Sequence, residues 1–163
     1  MPARLHPRLF IVKIVSGGQT GVDRAGLDAA MALGIPVGGW VPRNRRAEDG
    51  RVPDRYPVRE TASDAYDVRT RFNVRDSDAT LVLTRGRPTG GTALTIAIAR
   101  SLARPTRVID LNAPAEVADV EDVRAWLAHT RVRILNIAGP RESSHPGIYA
   151  EAASVLASLL ADG

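Results

Sequence analysis

Gly17, Gly18 and Gly21 stand in the segment VSGGQTGVDRAG, residues 15–26, where an apolar run meets paired glycines and then a helix-forming stretch. Lacking a Cβ, these positions let the backbone take positive φ and turn several N–H groups toward one cluster of oxygens. A helix starting near Val22 adds its unpaired first amides and the positive end of its dipole. The chemistry such an arrangement serves is anion binding, with phosphate the natural guest. It is not a Walker A loop, because no GKS or GKT follows, and Gln19 breaks the GxGxxG spacing. Gly26 reads as a packing residue within a helix whose buried stripe would be Val22, Ala25, Ala29, Ala30 and Leu33.

The pattern of strand, glycine turn and helix recurs. Thr89, Gly90, Gly91 and Thr92 separate an apolar strand at 79–84 from a helix at about 93–102, and Gly139, Pro140, Arg141, Glu142 and Ser143 follow a strand at 133–138. A first strand at 10–16, a helix at 22–33 ended by Gly34 and Pro36, and a short strand at 36–40 come before. A helix at about 63–74, capped by Ser63 or Asp64, precedes the strand at 79–84. A fourth strand at 107–111, a helix at 114–129 striped by Val117, Val120, Val123 and Leu127, and a last helix bearing Ile148, Ala152, Val155, Leu156, Leu159 and Leu160 on one face complete the pattern.

Five short apolar strands separated by helices call for a three-layer, doubly wound, Rossmann-like α/β fold: a mainly parallel five-stranded sheet with helices on both faces and right-handed crossovers. Residues 1–163 form one domain, with 1–9 a flexible start. In such sheets ligands bind beyond the carboxyl ends of the strands, where all three special turns must emerge. The aperiodic stretch 41–61, rich in Pro, Gly, Arg and acids, is a long loop. It reads as a solvated loop, as a segment that reaches a neighbouring subunit, or as a lid bent at Gly50 and Pro53, with Arg43, Arg45 and Arg46 reaching an anion and Glu48 and Asp49 beside them.

Composition narrows the function classes. The absence of cysteine removes disulfides, thiolate metal sites and cysteine nucleophiles. No apolar run approaches a membrane span and the start lacks a secretion-signal core, so the cytoplasm is the default. The net charge is +4, with Lys13 the sole lysine and every other basic residue an arginine, whose planar fork suits phosphate. With only 4% aromatics, no basic tract has the interleaved rings of a nucleic-acid groove. The histidines, His6, His129 and His145, show no spacing with acids that would hold a metal, although His145 lies near Arg141 and Ser143.

Taken together, SGGQTGVDRAG, GGW followed by PRNRRAEDGRVPDRYP, RTRFNV with DSD after it, GGTALT, and NIAGPRES with PGIY resemble the molybdenum carrier family, a circularly permuted branch of the LOG-like (SLOG) Rossmannoid superfamily. The resemblance runs from Val15 to Tyr149. Ordinary members of the superfamily begin with the turn that here comes last, at Gly139, Pro140, Arg141 and Glu142. The resemblance implies binding of molybdenum cofactor, a pterin bearing a terminal phosphate and a dithiolene that holds the metal, so the protein needs no metal ligand of its own. It implies cofactor contacts at Gly17, Gly18, Gln19, Thr20, Gly21, Asp23 and Arg24, at Gly90, Gly91 and Thr92, and at Gly139, Pro140, Arg141, Glu142 and Ser143. It also implies carriage or storage for a molybdoenzyme recipient, and a homo-oligomer, dimer or tetramer, with Trp126, Tyr66 and Phe72 as contact residues.

The alternative is a nucleotide-binding enzyme, a phosphoribohydrolase acting on nucleoside monophosphates, or a nucleotide sensor, as in the LOG branch. Glycosidic cleavage needs a carboxyl group beside the ribose. The GGxGTxxE acid of that branch is replaced here by Thr95, which argues against an enzyme of that type unless Asp23, Glu48, Asp49 or Glu142 approaches from another loop.

Overall fold

A computed structural model describes residues 6–113 and 117–161. Its centre is a five-stranded parallel sheet of β1 (Lys13–Val15), β2 (Val37–Gly38), β3 (Ala79–Thr84), β4 (Thr106–Asp110) and β5 (Ile134–Ala138), in the spatial order β2-β1-β5-β3-β4. Every residue of β3 is buried, because the strand lies inside the sheet with helices on both sides. Register is set by apolar pairs: Ile14 lies between Val37 and Leu135, and Leu81 faces Ile137.

The helices are α1 (Val22–Ala32), α2 (Tyr66–Arg75), α3 (Gly90–Ser101), α4 (Val117–His129) and α5 (Ile148–Leu160). The chain steps from β1 out to β2, crosses to β3 and β4, and returns to insert β5 between β1 and β3. Right-handed crossovers in that order put α1 and α4 on one face and α2 and α3 on the other. The packing agrees: α5 lies against α1 and α4, and α2 against α3. The main core joins Val22, Ala25 and Ala29 of α1, Ile148, Ala152 and Leu156 of α5, and Val123 and Leu127 of α4 to the sheet.

The expected α/β fold is the observed one, with local differences. Residues 10–12 do not join β1; Phe10 and Val12 are exposed. Helix α1 ends a residue early, and Leu33, assigned to its buried stripe, is exposed as the cap. The second strand breaks at Gly39, which takes φ 123° where its backbone crosses Ser16, so Trp40–Val41 pairs instead with Arg59–Glu60. Helix α2 starts at Tyr66 behind Ala65, with no side-chain cap from Ser63 or Asp64. Pro114 and the side chain of Val117 lie outside the described residues. Of the residues expected at a subunit contact, Trp126 packs on the core and under Arg107, Phe72 packs edge-on to Trp40, and Tyr66 faces inward at the site described below.

The stretch 41–61 is built rather than solvated. Val41, Ala47, Val52 and Tyr56 form a small core of their own against Leu27 of α1. A hairpin of Arg46–Ala47 and Gly50–Arg51 turns at Gly50, whose φ is 109°. Arg45 is turned inward, where it donates to the carbonyls of Val52, Pro53 and Tyr56 at 3.0, 2.6 and 3.0 Å. It therefore staples the stretch, and the expectation that it reaches an anion does not hold. Arg46 donates to the Asp64 carbonyl and lies over the Tyr66 ring.

Candidate functional site

Because β1, β5 and β3 are neighbours, the turns that follow them emerge side by side at the carboxyl edge of the sheet. Between these turns and α2 lies a cavity of about 310 Å³. Gly17, Gln19 and Asp23 line it from the first turn, Gly90, Gly91 and Thr92 from the second, and Gly139, Pro140 and Arg141 from the third. Nine of the fifteen expected residues thus line one cavity.

The other six do not line it. Gly18, at φ 72°, presses on Val41 and Val52 of the 41–61 stretch; a Cβ there would meet Val41 Cγ1 at 2.9 Å. Thr20 donates to Glu48 and accepts the Glu142 amide at 3.1 Å. Gly21 is pressed against the Pro140 carbonyl. Arg24 makes a paired contact with Asp49, at 2.6 and 2.8 Å. Glu142 accepts the amides of Gly147 and Tyr149 at the start of α5. Ser143 donates through its amide and its hydroxyl to Glu48.

These contacts change the expected division of labour between the two glycine turns. In the first turn, the Gly18 amide donates to Ser16 Oγ, Gln19 to Asp23 Oδ2 at 3.2 Å, Thr20 to Gln19 Oε1 at 3.2 Å, and Val22 to the Pro140 carbonyl at 3.2 Å. The first amide of α1, at Val22, is therefore taken by the third turn, and that of Arg24 by the Gln19 carbonyl. The amino end of α3 is open. Gly90, Gly91 and Thr92 are its first three residues, Thr89 supplies no side-chain cap, and the first of its amides with a backbone acceptor is Ala93, on Thr89. A Cβ on Gly91 would meet nothing within 4 Å. Three unpaired amides and the helix dipole thus face the cavity.

Gln19 and Arg69 also line the cavity, each with one buried donor atom that has no partner. Gln19 is 4% exposed, and its Oε1 accepts the amides of Thr20 and Glu48, which fixes its amide orientation and leaves Nε2 without a partner. Arg69 lies across Gly17, where a Cβ would come within 2.5 Å of its Nε, and that Nε is buried and unpartnered. Buried polar groups in folded proteins are almost always paired, so two orphan donors on one cavity wall point to an acceptor-bearing ligand. Burial pushes the Asp23 carboxyl up to about 6, although Arg69 and the Gln19 amide work against it. Burial likewise lowers Arg69 from the usual arginine range.

Glu48 ties the site to the 41–61 stretch. It accepts Thr20 and Ser143 and sits 3.7 Å from Arg141; burial opposes it, but these hydrogen bonds hold its carboxyl below the usual glutamate range. Thr95 is buried on the cavity wall and donates to the Gly91 carbonyl at 2.9 Å. His145 lines the cavity too.

Helix α2 contributes residues that sequence reasoning gave no part in the binding site. Tyr66, Arg69, Thr70 and Asn73 line the cavity, one turn apart on one face. The signal was available: a stripe of polar residues at helical spacing, within the RTRFNV motif, on a helix that offers little apolar surface.

The sequence profile of the circularly permutated YpsA SLOG family matches residues 14–160. The chain belongs to that family. A crystal structure named "Putative molybdenum carrier protein", from Syntrophus aciditrophicus SB, is 43% identical and superposes with a TM-score of 0.91, covering 94% of this chain and 97% of the other. Among curated proteins none matches significantly. In this chain the last turn, through Pro140, Arg141 and Glu142, lies against the first at Gly21.

Proposed function

We propose that this protein binds a phosphate-bearing cofactor of the molybdopterin type in the carboxyl-edge cavity and carries or stores it for a molybdoenzyme. The observation that carries the reading is the open first turn of α3, with the free amides of Gly90, Gly91 and Thr92, in one cavity with the orphan donors of Gln19 and Arg69. The phosphate belongs on α3, where Arg87 and Arg141 also line the wall. Carriage is supported by the name of the similar structure. Among the described residues no group of three or more His, Asp or Glu could hold a metal ion, so the metal would stay on the dithiolene of its own cofactor. No described helix is long and apolar enough to cross a membrane.

The test is native mass spectrometry with metal analysis on protein purified from a host that makes the cofactor. A pterin-phosphate mass with molybdenum, absent from the Gly91→Val variant, supports the reading. Protein that retains no phosphorylated molecule and binds none when offered would overturn it.

One observation favours a second reading, the phosphoribohydrolase. Of the four candidate acids, Glu48, Asp49 and Glu142 are engaged in holding loops together, whereas Asp23 lines the cavity with its carboxyl pushed up to about 6, suited to proton transfer near neutrality. Release of free base from a nucleoside monophosphate, lost in Asp23→Asn, would establish it.

A further inference from the structure

The cavity wall carries the carboxylate of Asp23 and two residues, Gln19 and Arg69, that each hold a buried donor without a partner, Nε2 and Nε. The backbone amide of Gln19 donates to Asp23 Oδ2, and Arg69, which lies across Gly17, is near enough to Asp23 for their charges to interact. We propose that this wall reads the edge of a 2-amino-4-oxopyrimidine ring, the edge that guanine and pterins share. The inference rests on the phosphate reading above, because it needs the phosphate to sit on α3 and the ring to point away from it.

The chemistry follows from donor and acceptor counts. That edge presents, in order, an exocyclic amine, a ring N–H and a lactam oxygen. The first two are donors and suit the carboxylate of Asp23; the third is an acceptor and suits Gln19 Nε2 or Arg69 Nε. Adenine offers a ring acceptor and an exocyclic donor instead, which would set an acceptor against the carboxylate and a donor against the orphan donors. A site built to pair with one pattern rejects the other strongly, because its own buried groups are then left unpaired.

Charge points the same way. An ionised Asp23 repels a phosphate from the first turn, whose Gly18, Gln19 and Thr20 amides are already engaged, and attracts N–H groups. Asp23 faces Arg69 from α2, Arg24 on its own helix and Arg141 from the turn after β5. Tyr66 also lines the cavity, with the guanidinium groups of Arg46, Arg69 and Arg141 over its ring.

The experiment is calorimetric titration of the full-length protein at pH 7.5 with GMP, AMP, phosphorylated 6-hydroxymethylpterin and ribose 5-phosphate. GMP or the pterin phosphate should bind more tightly than AMP by about tenfold or more, the loss expected when buried charged groups go unpaired. Whichever of the two binds more tightly names the source of the ring. In Asp23→Asn the preference should collapse while ribose 5-phosphate binds as before. In Gln19→Glu, which keeps the acceptor used by Thr20 and Glu48 but removes the donor, it should also fall. The preference of the unaltered protein should shrink from pH 7.5 to pH 5 as Asp23 protonates; the second ionisation of phosphate is common to all the ligands and cancels in the ratio. AMP binding as tightly as GMP and the pterin, or a preference that survives both substitutions, would overturn the inference and leave the phosphate reading standing. Failure of all four ligands to bind would overturn both.

Discussion

Replacing either Gly18 or Gly91 with valine should damage the protein, but in opposite ways. Gly18 sits at φ 72°, where a β-branched residue is strained by about 1–2 kcal/mol, and its new side chain would strike Val41 Cγ1 at 2.9 Å and Val52 at 3.1 Å. Overpacking of that kind costs about 1–3 kcal/mol more. The sum, about 2–5 kcal/mol, corresponds to a fall in Tm of about 4–20 °C for a domain of this size. Gly91 is in the first turn of α3 with no positive φ, and an added Cβ meets nothing within 4 Å. Gly91→Val should therefore leave Tm within about 2 °C, since a surface change of this kind stays within about 0.5 kcal/mol. Its side chain would occupy the space where a phosphate meets the Gly90, Gly91 and Thr92 amides, with a loss of about 2 kcal/mol or more, about thirtyfold in Kd. The assay pairs thermal unfolding by circular dichroism with calorimetric titration of ribose 5-phosphate. A Gly91→Val protein that binds as well as the original, or a Gly18→Val protein that is as stable as the original, would refute the assignment of one turn to binding and the other to structure.

Three further outcomes are expected. Asp23 has a folded-state pKa of about 6 against an ordinary 3.8, so the folded protein holds the extra proton between those values; stability falls as pH rises from about 4 to 6, and the full penalty, about 3 kcal/mol, persists above. Asp23→Asn should accordingly raise Tm at pH 7.5 and not at pH 4, as read by thermal unfolding at the two values. Arg45→Met removes three hydrogen bonds to loop carbonyls and should cost about 2–4 kcal/mol, with hydrogen exchange accelerating first within 41–61. Glu48→Gln weakens the tie between that stretch, Thr20 and Ser143, and should increase proteolytic cleavage near residues 46–51 while lowering global stability by no more than about 1–2 kcal/mol.

What could be read in advance follows the reach of local physics. The buried stripe of α5 and the fully apolar run of β3 are periodic signals, and both elements lie where the pattern put them. The convergence of the three turns followed from parallel topology, since β1, β5 and β3 can only deliver their turns to one edge. Local patterning could not say which turn would be open. That depended on the Pro140 carbonyl closing the end of α1, a contact across more than one hundred residues of chain. It also could not show that Arg45 folds inward: its sequence context is polar, and only Val41, Val52 and Tyr56, scattered without period, reveal a small core to staple. Arg69 was hidden for a related reason. Its importance comes from lying across Gly17, and nothing in a helix sequence names the glycine it will meet.

The central claim, that α3 and not α1 holds the anion, is tested most directly by following backbone amide resonances during titration with ribose 5-phosphate. Large shifts at Gly90, Gly91 and Thr92, with little change at Gly18, Gln19 and Thr20, are the predicted result. Shifts confined to Gly18, Gln19 and Thr20, with Gly91 and Thr92 unmoved, would contradict it.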